Sequence, residues 1–162
     1  MDTIINGNFC EVKNNKLKSQ LVQKGFGFKD GNILKLDLFE TRYLNDKGKL
    51  KLKDSKSALL ELCNKKIKSF EDKYLVFKDF RDKGYIIKDG AIFGFDFKVY
   101  NKSTSNKHEH TKYVVDVKRT HKDTITKIIK SERLANNIKT KYILAILDQE
   151  NKVIKIKIER EI

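Results

Sequence analysis

Proline is absent from this chain of 162 residues, and only two cysteines and three histidines are present. Without proline, glycine and asparagine must supply the turns, since both tolerate the backbone angles that tight turns require. Cys10 and Cys63 lack the spacing of metal ligands, so we expect free, buried thiols in a reducing cytoplasm. No apolar run reaches membrane-spanning length, and the first residues do not resemble a signal peptide. We therefore expect a cytoplasmic protein with no membrane association.

Several motifs of common enzyme classes are also missing. The sequence contains no glycine-rich phosphate loop and no carboxylate cluster that would hold Mg²⁺, which argues against chemistry that depends on a nucleoside triphosphate or a metal. His108 and His110 flank Glu109, but a metal site needs further ligands nearby, and none is visible in the sequence. We expect no cofactor and no metal.

Positive charge is abundant. The net charge is +14 and the isoelectric point is about 9.6, so the protein should attract polyanions. Nucleic acid is the first candidate and an acidic membrane surface the second; a lysine-rich, AT-rich genome is an alternative explanation. The excess is shared equally between residues 1–68 and 69–162, so any RNA-binding surface must be created by folding.

The first part of the chain alternates short strands and helices. Asn6-Gly7-Asn8 separates two apolar runs, which predicts a hairpin. Asp37 and Glu40 have the spacing of a capping box, which predicts a helix over 37–44. The alternation of residues 49–53 predicts a strand. Two further helices follow, capped by Asp54 or Ser55 and by Ser69, and the second places Tyr74, Phe77 and Phe80 in the core.

After Gly84 the pattern becomes rich in strands. We predict strands over 85–88, 91–100, 113–117, 142–147 and 153–158, with a helix over 124–139 that directs Ile125, Ile128, Ile129, Ala135 and Ile138 inward. The fold class is therefore α+β, with two small mixed α/β domains that meet near residues 66–70. We place their bounds at 1–68 and 69–162.

Two residues at strand ends are candidates for chemistry. Tyr100 ends one predicted strand, and His110 precedes the next. Cleavage of RNA through the ribose 2′-hydroxyl needs a base for that hydroxyl, an acid for the departing 5′-oxygen and a cation for the transition state. Histidine is the natural acid at neutral pH, and tyrosine can act as the base when cations lie close. Taken alone, Tyr100 would be an interface aromatic and His110 a solvated loop residue.

Three segments, 36–50, 74–85 and 93–100, resemble the archaeal tRNA-splicing (tRNA-intron) endonucleases. Phe93-Gly94-Phe95-Asp96-Phe97-Lys98-Val99-Tyr100 is the most specific match. The resemblance covers nearly the whole chain. It implies an N-terminal α+β domain and a C-terminal nuclease domain with a central mixed sheet flanked by helices. It also implies precursor tRNA as substrate, cut without metal at a bulge-helix-bulge by a lyase-type reaction that leaves 2′,3′-cyclic phosphate and 5′-hydroxyl ends.

The resemblance also assigns roles to residues. Tyr100 takes the place of the general base and His110 that of the general acid. The catalytic lysine of the family falls on Thr140, and of its two neighbours, Lys139 and Lys141, we prefer Lys141 as the substitute. Arg133 and Lys155 match the two cations that sandwich a bulged base of the substrate; without the resemblance, Arg133 would be a solvent-facing residue.

The loop Asn101–Glu109 departs from the family. In self-assembling members this loop is usually acidic, whereas here it holds Lys102 and Lys107 against Glu109. A heterotetramer with a second endonuclease subunit would explain both the loop and Thr140, and self-association is the alternative. Two further interpretations stay open: a non-catalytic structural subunit of such an enzyme, and a non-enzymatic RNA-binding module.

Overall fold

A computed structural model describes residues 3–53, 55–101, 110–119 and 124–161. The chain divides into two compact units, Met1–Phe70 and Glu71–Ile162. The helices and strands follow one another in the order β1 Thr3–Asn6, β2 Phe9–Val12, α1 Asn15–Gln23, β3 Phe28–Asp30, β4 Ile33–Asp37, α2 Leu38–Asp46, α3 Lys56–Lys66, α4 Phe70–Asp82, β5 Ile86–Asp89, β6 Phe97–Tyr100, β7 Tyr113–Lys118, α5 Ile125–Asn137, β8 Lys141–Leu147 and β9 Val153–Ile158.

The first unit is built on an antiparallel sheet with the strand order β1-β2-β4-β3. Gly7 has a φ of 64° at the turn between β1 and β2, so the predicted hairpin is confirmed. The capping box at the start of α2 is confirmed as well, because Asp37 accepts from the amide of Glu40 and Glu40 accepts from the amide of Asp37. Glu40 is almost fully buried and also accepts from the amide of Gly27, which links α2 to the segment between α1 and β3.

The second unit contains a mixed sheet with the strand order β5-β6-β7-β8-β9. Only β7 and β8 run parallel, and α5 forms the crossover between them. One face of the sheet packs on α5, where Val114, Tyr142 and Leu144 surround Ala135. The other face packs on α4, where the rings of Phe77 and Phe97 lie 6.1 Å apart. The predicted α+β fold, with a mixed sheet flanked by helices, is therefore confirmed.

Two predicted strands are wrong or shorter than expected. Residues 49–53 form no strand, and Leu50 alone among them is deeply buried. The amide of Leu50 donates to the carbonyl of Leu44 in α2, so this leucine packs at the C-terminal end of that helix and not in a sheet. The predicted strand over 91–100 begins only at Phe97, because Ala91–Phe93 form a 3₁₀ turn. The amides of Phe93 and Phe95 both donate to the carbonyl of Gly90. These hydrogen bonds hold residues 90–95 in a tight turn, although the alternating phenylalanines are typical of a strand.

The helix starts were predicted in part. Ser55 caps α3 through its side chain, as expected, whereas Asp54 lies outside the described residues. Ser69 adopts a left-handed backbone with a φ of 56°, not the extended conformation of an N-cap, so its predicted role is wrong. Tyr74, Phe77 and Phe80 of α4 are buried, as predicted.

The predicted inward face of α5 is only partly correct. Ala135 is buried and Ile128 and Ile138 are partly buried, but Ile125 and Ile129 remain 75% and 46% exposed. The residues of α5 that pack against the core of this sheet are therefore Ile128, Ala135 and Ile138. Both cysteines are free and buried, as expected. Within the described parts of the chain, no helix has the length and apolar character of a membrane span.

Candidate active site

Three strand ends meet at one edge of the second sheet. Because β6 is antiparallel to β7 and β7 is parallel to β8, the last residue of β6 and the first residues of β7 and β8 lie at the same edge. Val99 is paired with Tyr113, and Tyr113 is paired with Lys141. Tyr100, the segment that leads into β7, and the residues around 140 are therefore neighbours in space, although they lie up to 40 positions apart in the sequence.

Tyr100 is half-buried at this edge. Its neighbour Lys98 pairs with Val114, so residues 98 and 100 project from the face that packs on α5. The ammonium group of Lys98 lies 6.0 Å from the centroid of the Tyr100 ring. At this distance the ammonium group makes a cation–π contact with the ring.

His110 lies three residues before β7, on the segment that enters the sheet beside the end of β6. The amide of Lys112 donates to the carbonyl of Val99 over 2.8 Å, which fixes the backbone two residues beyond His110. His110 itself is exposed and is therefore accessible to a ligand. His108, Glu109 and the rest of the segment 102–109, including Lys102 and Lys107, lie outside the described residues.

A buried threonine, Thr140, occupies the position at which the resemblance places a lysine. Thr140 is only 6% exposed, and its hydroxyl donates to the carbonyl of Thr111 over 2.9 Å. Its preceding neighbour, Lys139, is exposed and has a left-handed backbone with a φ of 53°. The following residue, Lys141, is exposed too, and its ammonium lies 3.2 Å from Glu159. Since Tyr142 faces α5 and side chains alternate along a strand, Thr140 shares the face of Tyr100 and Lys141 projects from the opposite face.

The two residues expected to bind RNA lie on opposite sides of the sheet. Arg133 is exposed on α5. Lys155 projects from the face that packs on α4, where it forms an ion pair with Asp79 and lies 4.9 Å from the centroid of the Phe80 ring. Burial opposes ionisation of Asp79, but hydrogen bonds from Lys155 and Lys83 outweigh it and hold the pKa of this carboxyl below its usual range. The structure therefore brings Tyr100 and His110 to one edge, but it does not bring Arg133 and Lys155 to one surface.

Sequence reasoning missed two carboxylates on the α5 side of the sheet: Asp116, which is half-buried, and Glu132, which is buried. Asp116 lies under α5, where it accepts from the hydroxyls of Tyr142 and Ser131. Glu132 is 4% exposed and accepts from Arg160 and Asn136. Glu132 follows Ser131 and precedes Arg133 in a polar stretch that is typical of a solvent face, so the sequence held no signal for its burial. Among the described residues, no three His, Cys, Asp or Glu side chains are grouped closely enough to hold a metal ion.

Comparison with known proteins identifies both units. Residues 70–155 match the model of the tRNA intron endonuclease catalytic C-terminal domain, and residues 1–62 match that of the tRNA intron endonuclease N-terminal domain. A tRNA-splicing endonuclease of Pyrococcus furiosus is 33% identical, over 96% of this chain and 93% of its own length. Proteins of the same name from Pyrococcus abyssi and Methanopyrus kandleri are 35% and 32% identical, over 84% and 79% of this chain and 81% and 74% of their own lengths. On this evidence the chain belongs to the tRNA intron endonuclease family.

Proposed function

We propose that this chain is a subunit of a tRNA-splicing endonuclease that removes introns from precursor tRNA. The observation that carries the proposal is the position of Tyr100 and His110 at one sheet edge, within the unit that matches the family's catalytic domain. The proposed domains are residues 1–68 and a nuclease domain over 69–162. The proposed cleavage sites are bulge-helix-bulge structures at the two intron boundaries.

The proposed reaction is a metal-independent transesterification. Tyr100 removes the proton of the 2′-hydroxyl, and the 2′-oxygen attacks the adjacent phosphorus. The bond from phosphorus to the 5′-oxygen breaks, and His110 donates a proton to that departing oxygen. The products are a 2′,3′-cyclic phosphate and a 5′-hydroxyl, as in an RNA lyase. A cation near residue 140 would stabilise the additional negative charge of the transition state. The sequence favours Lys141 for this role, but its side chain projects from the face opposite Tyr100.

Arg133 and Lys155 are the proposed contacts to RNA. A guanidinium plane stacks on a nucleobase, and Arg133 is exposed and therefore accessible to one. Lys155 is proposed as the second cation at the bulged base, where an ammonium acts as a point charge. This role requires that the ammonium leave Asp79, which is its partner in the free protein.

We propose that the chain functions with a second subunit, in a heterotetramer or by self-association. Strand β9 is the last strand of its sheet, and Ile154 and Ile156 on it are 45% and 43% exposed. An edge strand with exposed apolar side chains is a common surface for pairing with another chain.

A second candidate is that the chain is a non-catalytic structural subunit or an RNA-binding module. The burial of Thr140, and the engagement of its hydroxyl with Thr111, favour this candidate because no ammonium occupies the position where the family has its lysine. The presence of both Tyr100 and His110 favours catalysis.

Cleavage of a bulge-helix-bulge RNA in the presence of EDTA distinguishes the two candidates. For the catalytic subunit we expect that Tyr100→Phe and His110→Ala each slow cleavage about 10²–10⁴-fold, the usual contribution of a general base or acid. Tyr113→Phe is the matched control, since Tyr113 pairs with Val99 but projects from the opposite face. Unchanged cleavage in the Tyr100 and His110 variants would show that the catalytic residues belong to a partner subunit.

A further inference from the structure

A pocket of about 240 Å³ lies beside Thr140, at the end of α5 and the ends of β8 and β9. Its wall includes Glu132, Asn136, Thr140 and Arg160. The pocket thus adjoins the position at which the family's lysine is replaced by threonine. It contains an arginine that the proposed catalytic set does not use.

The register of β8 and β9 places Arg160 next to Thr140. Tyr142 pairs with Ile158 in this antiparallel ladder, and extending the same register by two residues sets Thr140 opposite Arg160. Neighbouring strands lie about 4.8 Å apart, and residues that face each other across them project to the same side of the sheet. Arg160 therefore lies on the α5 side, the side that Thr140 shares with Tyr100. Lys141 is paired in the same way with Glu159 on the opposite side.

Arg160 is held in place by a buried carboxylate. Its Nε donates to Oε2 of Glu132 over 2.6 Å, and Glu132 is 4% exposed. Asn136 donates to the other oxygen of Glu132 and so braces the carboxylate. Among the described residues, Nε is the nitrogen of Arg160 that forms a hydrogen bond, which leaves the two terminal nitrogens available to a phosphate. Such a geometry suits bidentate contact with a phosphoryl group.

We propose that Arg160 is the catalytic cation of this site and substitutes, from the neighbouring strand, for the lysine absent at Thr140. The inference rests on the proposed nuclease function and assigns its third catalytic group. The terminal nitrogens of Arg160 contact the non-bridging oxygens of the scissile phosphate, and Glu132 orients the guanidinium. Arginine keeps its charge throughout the reaction, so Tyr100 and His110 alone exchange protons.

The test is the single-turnover rate of cleavage at saturating RNA, measured on the assembled enzyme together with any partner subunit that it requires. We expect Arg160→Gln to lower this rate about 10²–10³-fold, as loss of one transition-state contact does, with little change in the dissociation constant for RNA. Arg160→Lys should recover part of the rate, and added guanidinium ion should partly restore Arg160→Gln. Lys157→Ala is the matched control, since it removes an exposed cation of β9 from the opposite face.

Removal of Arg160 leaves Glu132 buried without its charged partner, so the double variant Arg160→Gln with Glu132→Gln guards against loss of the fold. In the double variant the two glutamines form a neutral, hydrogen-bonded pair, so we expect its melting temperature to be close to that of the original protein. We expect this variant to cleave RNA as slowly as Arg160→Gln does. Cleavage by a folded double variant within a few-fold of the original rate would overturn the assignment of Arg160, as would a large loss in Lys141→Ala alone. Absence of cleavage by the unaltered assembly would instead refute the nuclease function itself.

Discussion

Asp116 shows how one half-buried side chain links pH to stability. Burial raises the pKa of this carboxyl above its ordinary value of 3.8, and the nearby charge of Asp96 adds to the effect, while the hydroxyl of Tyr142 opposes it. A carboxyl with a raised pKa in the folded state favours folding when it is protonated. That contribution is fully present below the unfolded pKa and is lost as the pH rises through the folded pKa.

Asp116→Asn should therefore stabilise the protein at pH 7. Asparagine cannot ionise, and its carbonyl oxygen can accept from Tyr142 and Ser131 as Oδ2 of Asp116 does. We expect the melting temperature at pH 7 to rise by about 2–4 °C for each 1 kcal/mol that the substitution adds to the free energy of unfolding. The difference from the unaltered protein should shrink towards pH 3, where both side chains are neutral. A gain that is equal at both pH values would contradict the explanation.

The residues of the site differ in how far the sequence could predict them. Tyr100 and His110 followed from strand ends and from a resemblance to the family. The role proposed for Arg160 could not be predicted, because it depends on a cross-strand neighbour 20 positions away and on Glu132, whose burial has no local signal. Local patterns carry information about capping and alternation, whereas contacts across a sheet are set by the register of strands that are distant in sequence.

At the scale of elements, local signals were reliable where the chain itself supplies the partner. The capping box of α2 joins Asp37 to Glu40 within one turn, so the sequence contained the whole interaction. The inward face of α5 was predicted only in part, since Ile125 and Ile129 are exposed. The burial of a helical residue depends on which other elements pack against the helix, and helical periodicity alone does not contain that information. Strand β9 was predicted correctly from its alternation, yet its isoleucines at 154 and 156 are partly exposed.

The exposed isoleucines of β9 provide a test of association. We expect Ile156→Asp to weaken self-association or assembly with a partner at least tenfold, because burying a carboxylate at an apolar interface is costly. Light scattering after gel filtration, over a range of concentrations, measures the effect. Lys152→Ser, in the exposed turn before β9, is the control. An unchanged mass in the Ile156 variant would indicate that β9 is not part of the interface.

At the scale of the whole molecule, the positive charge sets the response to salt. The net charge of +14 is spread over both units, so many lysines are available to contact phosphates. Binding of each phosphate releases counterions, and the affinity for RNA should therefore fall steeply as salt is added. With three phosphate contacts, we expect a decrease of about 10- to 100-fold between 50 and 200 mM salt. Filter binding of a pre-tRNA at several salt concentrations measures the slope, and a flat response would contradict an electrostatic interface.

The parallel pairing of β7 with β8 has a consequence for the order in which the molecule assembles. Strands β6 and β7 pair antiparallel as sequence neighbours, so they can meet early, whereas β8 and β9 reach their places only after the α5 crossover has docked. Contacts of greater sequence separation form later in folding. During synthesis, Tyr100 and His110 can thus come together before the residues around 140 and 160 have joined them. A nascent chain would then hold the proposed acid and base without the proposed catalytic cation, and on this proposal cutting activity would begin only when the last two strands are complete.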